Sequence, residues 1–461
     1  MSKKDNSDVK VGFKKEIGLW GGISIIGGIM IGSGIFYLGT QVLERAHMSM
    51  GLALIAWIVG GLVSILGGLC FAELGAARPE AGGMVVYLDE AYHPCIGYSF
   101  AFTSMLISGA GSIAAISIAL PEALRAYIGL SDIQVKIFAV IFIVLLTIYN
   151  CYGVKLSNIL QSMSMAAKLI PIALIIAGAL VMGRQDVNLS LQPMDGTGEL
   201  GLSGVISTIA FATVASLWAY EGWTNLNSMA EEMKNPKRDL PLALIFGIGG
   251  VMVIYTVFNF AIYRMLPVET INSMIASGDE YLGTEVARRV FGNVGGVLVV
   301  IAMVIAMFSS NNGMIIAFPR MYYAMAQGGH FFKPIAKLDP KTHVPVNSMI
   351  LQAVISSILV CLRNLSELTA MVVFVGMVYN LLVVISVIVY RKKYPDLPRP
   401  YKAWGYPVTV IISSLLFTAL CINTLIEDPI TAIIGFVVPV IGIILYFVFD
   451  RRIKKDEKEV A

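Results

Sequence analysis

The chain has 461 residues, of which 57% are hydrophobic and 14% are charged, and its formal net charge is +3 at pH 7. Soluble proteins carry roughly 25% charged residues, so this composition excludes a soluble domain and indicates an all-α polytopic membrane protein. The five cysteines form no C-x-x-C pattern, which excludes a disulfide framework or a zinc site of that kind. We predict no metal, no cofactor and no nucleic-acid partner.

Residues 1–16 are polar and basic and lead into an apolar segment without a small-residue cleavage site, so they are predicted to be a cytosolic tail and not a signal peptide. Apolar windows of about 20 residues cross a bilayer. Such windows predict twelve transmembrane helices, near residues 17–42, 52–76, 94–122, 133–152, 160–183, 202–229, 241–264, 293–319, 346–364, 367–390, 408–425 and 430–450.

Lys and Arg are concentrated in the segments that lie on the same side as the N-terminus, and Arg320, after the eighth span, is assigned to this group. The positive-inside rule then places both termini in the cytosol of a multi-pass cell-membrane protein. Residues 451–461 are predicted to form a solvated cytosolic tail.

Two long loops, one between spans two and three and one between spans seven and eight, lie five positions apart and face opposite sides. This pattern predicts a five-plus-five inverted repeat, with spans one to five in residues 17–183 and spans six to ten in residues 202–390. Residues 408–450 then hold two further spans. Transporters built this way bind substrate near the midplane, between paired broken helices. Chance is the alternative, because any twelve-span protein has some long loops.

The first span is unusually rich in glycine over residues 18–36, and each glycine weakens a helix interior by about 1 kcal/mol relative to Ala. We predict that the helix is broken at Gly32, Ser33 and Gly34. The repeat then requires a matching break in span six, where the polar and aromatic cluster at residues 216–223 includes Glu221. The alternative for Glu221 is a protonated or hydrogen-bonded structural residue.

Lys168 is the one basic residue deep within a span, about 12 Å into its helix at 1.5 Å per residue. We interpret it as a buried ammonium held by backbone carbonyls that the break in span one frees. A tethered cation replaces a bound Na⁺ in this interpretation, which predicts sodium-independent transport. The alternative is that the side chain snorkels to the interface.

The two breaks together form a receptor for a zwitterion, because helix N-termini bind anions and helix C-termini present unpaired carbonyls. The N–H groups around Gly32, Ser33 and Gly34, with the Ser33 hydroxyl, are predicted to bind an α-carboxylate. The α-ammonium is predicted to lie on carbonyls of Met30 and of the span-six break.

The span-six residues of this predicted ammonium site are Trp218, Ala219 and Glu221. Trp218 adjoins the break, so it is predicted to cover the site as an aromatic gate. Packing and interface anchoring are its alternatives.

The side chains that we expect around the substrate are small or apolar, and they predict small to medium neutral L-amino acids such as Ala, Ser, Thr or Cys. These pocket candidates are Ser24, Ile25, Gly28, Ser108, Gly109, Ser216, Ser309, Ser310 and Asn311. A proton-coupled symporter that titrates Lys168 or Glu221 is the alternative. An intramembrane enzyme lacks the paired groups that catalysis needs, and an ion channel lacks the paired breaks.

Four motifs carry a family resemblance: IGGIMIGSGIF in span one, KLIPI in span five, LWAYEGW followed by EEMKNPKRDLP at span six, and SSNNGMIIAFPRMYYAMAQGGHFF around span eight. Together they resemble the amino acid, polyamine and organocation (APC) superfamily and, within it, the L-type amino-acid transporter (LAT) family. The resemblance implies a LeuT-like fold with broken helices one and six, and sodium-independent amino-acid exchange by alternating access.

The resemblance also implies residue roles. Gly32, Ser33 and Gly34 match the family's carboxylate-binding segment, Trp218 matches its gating aromatic residue, and Lys168 matches its span-five lysine. Glu221 stands where animal members often have Gly, and Trp218 replaces the commoner Phe, which leaves substrate specificity and proton involvement open.

Residues 123–132 contain no Cys, whereas animal members of the LAT family tether a single-span heavy subunit by a disulfide in this loop. We therefore expect the chain to work without a heavy subunit.

Overall fold

The computed structural model describes residues 12–32, 34–277, 281–329, 331–362, 365–427 and 429–460. Over these ranges the chain is helical, apart from turns, loops and one isolated β-bridge. The α-helices are α1 Leu19–Met30, α2 Gly34–Arg45, α3 Met50–Ala77, α4 Met84–Ala91, α5 Pro94–Thr103, α6 Gly109–Ile128, α7 Asp132–Asn150, α8 Val154–Met182, α9 Leu202–Ala219, α10 Pro236–Met265, α11 Val268–Ala276, α12 Leu282–Phe291, α13 Asn293–Gln327, α14 Val346–Leu362, α15 Leu365–Lys393, α16 Val408–Glu427 and α17 Pro429–Val460.

Many of these helices are long and apolar enough to cross a bilayer. Within the described ranges, nine helical stretches meet this criterion and three shorter apolar helices accompany them. The three are Leu19–Met30, Val346–Leu362 and Gly435–Asp450. The prediction of an all-α polytopic membrane protein is therefore confirmed, whereas the count of twelve spans and the inverted repeat stay predictions.

The first apolar segment consists of two helices, because α1 ends at Met30 and α2 begins at Gly34. Between them, Ile31 has φ −77° and ψ 82°, and the N–H of Gly32 donates to the carbonyl of Met30 at 2.9 Å. These values are close to those of an inverse γ-turn. Ser33, predicted to lie at the break, falls outside the described residues.

The segment predicted as span six is also interrupted. Helix α9 ends at Ala219, and after a short turn a 3₁₀ segment runs over Trp223–Glu232. Gly222 lies in this turn with φ +113°, a conformation that glycine adopts at little cost. A Cβ at Gly222 would lie 2.3 Å from Cγ2 of Ile29, so the two interruptions lie side by side.

Helix α1 occupies the centre of the bundle, where it packs against α8, α10 and α13. Its glycines allow this close approach. A Cβ at Gly28 would lie only 1.8 Å from Nε2 of Gln161 on α8. The glycine content that weakens this helix therefore also permits its backbone to contact side chains of α8 directly.

The segment before α1 forms backbone hydrogen bonds with the end of the 3₁₀ segment. The N–H groups of Glu16 and Ile17 donate to the carbonyl of Glu232 at 2.9 and 3.0 Å, and the N–H of Lys234 donates to the carbonyl of Ile17 at 2.8 Å. Arg320 binds the same residue through its guanidinium. Arg320, which the sequence assigns to the cytosolic side, is part of α13 and only 1% exposed.

Candidate functional site

Lys168 reaches the break in the first span from α8. Its side chain is fully buried, and its ammonium nitrogen donates to the carbonyl of Gly28 at 2.8 Å and to that of Ile31 at 2.5 Å. The last carbonyls of a helix lack intrahelical partners, and they carry the partial negative charge of the helix dipole. The ammonium therefore lies where a cation stabilises the end of α1.

Ser310 of α13 supports the same end of α1. Its hydroxyl contacts the carbonyl of Gly28 at 3.0 Å and that of Ile29 at 2.9 Å. The sequence suggested Ser310 as a lining residue of the substrate pocket. Its hydroxyl instead bonds to the α1 backbone, so α8 and α13 contact neighbouring carbonyls of one helix turn.

Other predicted pocket residues also find partners inside the protein. The hydroxyl of Ser216 donates to the carbonyl of Thr213 at 2.9 Å and contacts that of Ala56 at 3.2 Å. The amide of Asn311 donates to the hydroxyl of Ser117 at 2.6 Å. These side chains connect helices of the bundle through hydrogen bonds.

Tyr255 of α10 is a site residue that the sequence did not reveal. Its hydroxyl lies 2.7 Å from the carbonyl of Met30 and 3.0 Å from that of Ala219, at the last residues of α1 and α9. The ring is fully buried and makes edge contacts with Trp57 and Tyr220, with centroids 5.4 and 5.3 Å away. A buried tyrosine hydroxyl usually finds a partner, and this one joins the two helix breaks.

The predicted ammonium acceptors are therefore occupied in this structure. Tyr255 contacts the carbonyls of Met30 and Ala219, and the carbonyl of Trp218 accepts from the N–H of Glu221 at 3.2 Å. Each carbonyl oxygen has two lone pairs, and that of Met30 uses both, because it also accepts from the N–H of Gly32 at 2.9 Å.

The predicted anion site has fewer available backbone N–H groups than the sequence suggested. The N–H of Gly32 is used by its turn with Met30, because the γ-turn at Ile31 directs that group backwards. Gly34 is the first residue of α2, so its N–H lacks an intrahelical acceptor. An anion at this position would bind the first turn of α2.

Glu221 and Trp218 lie at the span-six break, and both are half-buried. The carboxylate of Glu221 faces α15, since a Cβ at Gly376 would lie 3.7 Å from its Oε1. This carboxylate forms no salt bridge with any described residue. In the same part of the chain, no three His, Cys, Asp or Glu side chains are grouped as metal ligands.

Comparison with known proteins identifies the family. A family model described as amino acid permease matches residues 17–449. The chain belongs to the amino acid permease family. This result confirms the resemblance that the four motifs carry.

Curated relatives of this permease match it over almost its whole length. The serine/threonine exchanger SteT of Bacillus subtilis is 29% identical over 96% of this chain and 98% of its own. The b(0,+)-type amino acid transporter 1 of Mus musculus is 31% identical over 95% and 88%. The large neutral amino acids transporter small subunit 2 of Homo sapiens is 30% identical over 95% and 81%. The permease is thus an amino-acid transporter and not an enzyme.

The Tyr255 bridge can be tested by removing its hydroxyl. We expect Tyr255→Phe to destabilise the permease by about 1 to 3 kcal/mol, the cost of an unsatisfied buried polar group, because Ala219 loses this donor and Met30 keeps only the N–H of Gly32. Tyr263→Phe is the matched control. Its hydroxyl is buried on the same helix without a hydrogen-bond partner among the described residues. Thermal unfolding of the full chain in detergent measures both, and equal shifts would contradict the bridge.

Proposed function

We propose that the permease is a sodium-independent exchanger of small to medium neutral L-amino acids, such as Ala, Ser, Thr or Cys, that works by alternating access. The observation that carries this proposal is the position of Lys168. Its ammonium binds the carbonyls of Gly28 and Ile31 at the break, where a tethered cation makes a bound Na⁺ unnecessary. The name of the relative SteT, a serine/threonine exchanger, supports exchange and a small substrate.

The substrate lies between the two breaks in this proposal. Its α-carboxylate binds the first turn of α2 at Gly34, with Gly32 and Ser33 of the preceding segment beside it. Its α-ammonium binds carbonyls at the ends of α1 and α9. The support is the pairing of a helix N-terminus with two helix C-termini around Tyr255.

The ammonium site consists of the backbone carbonyls of Met30, Trp218, Ala219 and Glu221. On binding, the substrate ammonium replaces hydrogen bonds that Tyr255 and a backbone N–H donate in this structure. Trp218 covers the bound substrate as a gate. Its half-buried position at the end of α9 supports this role.

The membrane arrangement belongs to the same proposal. The permease has twelve spans in the cell membrane, with both termini in the cytosol and five-plus-five inverted repeats over residues 17–183 and 202–390. The nine long and three shorter apolar helices support the count, and the paired interruptions of the first and sixth apolar segments support the repeat. It works without a heavy subunit, since residues 123–132 lack a cysteine for the tether.

Transport in proteoliposomes tests the exchange mechanism. We expect uptake of labelled serine to be at least fivefold faster into vesicles loaded with serine than into empty vesicles, and unchanged when sodium is replaced. Equal uptake into empty and loaded vesicles would reject exchange. Internal acidification driven by serine would instead identify the proton-coupled symporter.

A second candidate substrate class is cationic amino acids, and Glu221 is the observation that favours it. Its carboxylate lies beside the break, on the side of Gly376, and forms no salt bridge with any described residue. A basic substrate side chain would supply the missing partner. One relative is a b(0,+)-type amino acid transporter, and its near-complete coverage makes the comparison relevant.

Competition experiments separate the two substrate classes. If the permease accepts cationic amino acids, excess lysine should inhibit serine uptake, and Glu221→Gln should weaken that inhibition about tenfold, which corresponds to 1.4 kcal/mol. Glu199→Gln, in an exposed loop, is the matched control and should change nothing. Lysine that does not compete in the unaltered permease would restrict the substrates to neutral amino acids.

A further inference from the structure

An open apolar groove lies between α7 and α14, two helices that contact each other. Its volume is 560 Å³. The polar or sulfur-containing groups of its wall come from Thr147, Ser357 and Cys361. The lining residues are Val140, Val144, Thr147, Ile148, Ile350, Ala353, Val354, Ser357, Ile358, Cys361 and Leu362.

The groove is formed by two regular stripes of side chains. Along α14, residues 350, 354, 358 and 362 recur every four positions, and each is at least half exposed. Residues 140, 144 and 148 also recur every four positions on α7 and line the groove. Residues four apart lie on one helix face, so the stripes run along the helix axes as the two walls of a channel.

The groove has the length of one membrane leaflet. Residues 350–362 of α14 span about 18 Å at 1.5 Å per residue, and one leaflet of hydrocarbon is about 15 Å deep, half of the usual ~30 Å. The groove ends near the last residues of α14, which lie at a membrane face if α14 spans the bilayer. An extended chain of one leaflet fits this length and direction.

The ammonium of Lys136 lies at the end of the groove formed by the last residues of α14. Lys136 lies one turn before Val140 on α7, and its ammonium donates to the carbonyl of Cys361 at 2.8 Å. An ammonium has three donors, so this exposed group retains two. The nearby carboxylate of Asp132 is bound by Arg125 at 2.5 Å, and among the described residues no carboxylate pairs with Lys136. The positive charge of Lys136 is therefore available to bind an anion from outside the protein.

Lys136 also lies near the start of α7, the end at which a membrane-spanning helix meets the lipid headgroups. It is only about 6 Å along α7 from Asp132, the first residue of that helix, at 1.5 Å per residue. An apolar channel of one leaflet's depth, with a cation at its headgroup end, matches a phospholipid in both shape and charge. A lysine near the membrane surface contributes about 1 kcal/mol of attraction to anionic lipid.

We propose that the groove between α7 and α14 binds one acyl chain of an anionic phospholipid whose phosphate is held by Lys136. The lipid fills a concave surface that the side chains of α7 and α14 leave open, and its headgroup uses the two remaining donors of Lys136. This site is separate from the helix breaks and does not depend on the substrate that the permease carries.

Native mass spectrometry of the full chain in mild detergent tests the site, with equimolar dioleoyl phosphatidylglycerol and dioleoyl phosphatidylcholine as probes. We expect one bound phosphatidylglycerol, with at least fivefold higher occupancy than phosphatidylcholine. Lys136→Gln should bring the ratio close to one. Val354→Trp, which fills the groove, should reduce both lipids at least fivefold. Ile433→Trp, on an exposed surface of α17, should leave retention unchanged.

Two results of this experiment would overturn the proposal. One is an unaltered permease that retains both lipids equally. The other is Val354→Trp protein that retains as much lipid as Ile433→Trp protein.

Cys361 gives a second measurement that needs no substitution in the groove. It is an exposed free thiol on the groove wall, so bound phosphatidylglycerol should slow its reaction with a maleimide at least fivefold relative to phosphatidylcholine. Cys151, half-buried and outside the groove, serves as the internal control. Equal rates at Cys361 in the two lipids would overturn the proposal. Crosslinking of Cys361 to a second polypeptide in native membranes would do the same and assign the groove to a protein partner.

Discussion

We expect Lys168→Ala to slow amino-acid exchange at least tenfold, with a much smaller change in substrate affinity measured from one side of the membrane. The substitution removes two hydrogen bonds from a buried cation to the carbonyls of Gly28 and Ile31. A hydrogen bond to a charged group contributes about 1.5 to 3 kcal/mol, and 1.4 kcal/mol corresponds to a factor of ten. The end of α1 then loses the donor that holds it to α8.

The measurement compares serine exchange rates in proteoliposomes with binding of labelled serine to purified protein. Lys155→Ala is the matched control, because Lys155 lies on the same helix with its side chain exposed, and it should exchange serine normally. A Lys168→Ala permease that turns over at the rate of this control would rule out the role of Lys168. Lys168→Met, which keeps the apolar stem but not the donors, separates lost hydrogen bonds from lost packing.

A second large effect is expected from Arg320→Met, which should destabilise the permease by about 3 to 5 kcal/mol, the cost of breaking a buried ion pair. Arg320 donates to both carboxylate oxygens of Glu232, at 2.6 and 3.2 Å, and the two side chains are 1% and 0% exposed. The substitution leaves the Glu232 charge buried without its partner. Thermal or chemical unfolding of the full chain in detergent measures the change.

The control for this prediction is an exposed ion pair. Arg288 is 60% exposed and lies 3.6 Å from Glu285, and exposed pairs contribute about 0 to 1 kcal/mol. Arg288→Met should therefore change stability little. Combining Arg320→Met with Glu232→Gln should recover part of the loss, because no unpaired charge remains. Similar shifts for Arg320→Met and Arg288→Met would show that burial of the pair contributes nothing.

The sequence predicted the helix interruptions because their causes are local. Glycine weakens a helix wherever it stands, so the composition around Gly32 and Gly34 was sufficient. The polar and aromatic cluster at residues 216–223 likewise predicted the break in span six. A lysine far from any interface must find acceptors, so the sequence also predicted that Lys168 binds carbonyls of the first span.

The remaining contacts depend on helix rotation and could not be predicted. A buried membrane helix is apolar on all sides, so its sequence does not show which face meets which neighbour. Tyr255 and Met30 are 225 positions apart, and the orientation of α10 alone brings them together. Ser310 is a similar case, because the pattern placed it near the substrate without showing which way it points.

Backbone dihedral angles also limited the prediction of the anion site. The N–H of Gly32 donates to Met30 because of the φ and ψ angles of Ile31, and no residue pattern fixes such angles. Arg320 was assigned to the loop charges because it follows an apolar window. Helix α13 continues past it to Gln327, and Glu232, its partner, lies 88 positions away.

The hydroxyl of Tyr255 has fewer hydrogens to donate than it has carbonyl acceptors. A phenol carries a single hydrogen, yet this hydroxyl lies within hydrogen-bond distance of two carbonyls, those of Met30 and Ala219. At any instant it can donate fully to only one of them, so the ends of α1 and α9 share the single proton of this hydroxyl. A group with three hydrogens, such as an ammonium, satisfies both carbonyls at once and still has one hydrogen left to donate.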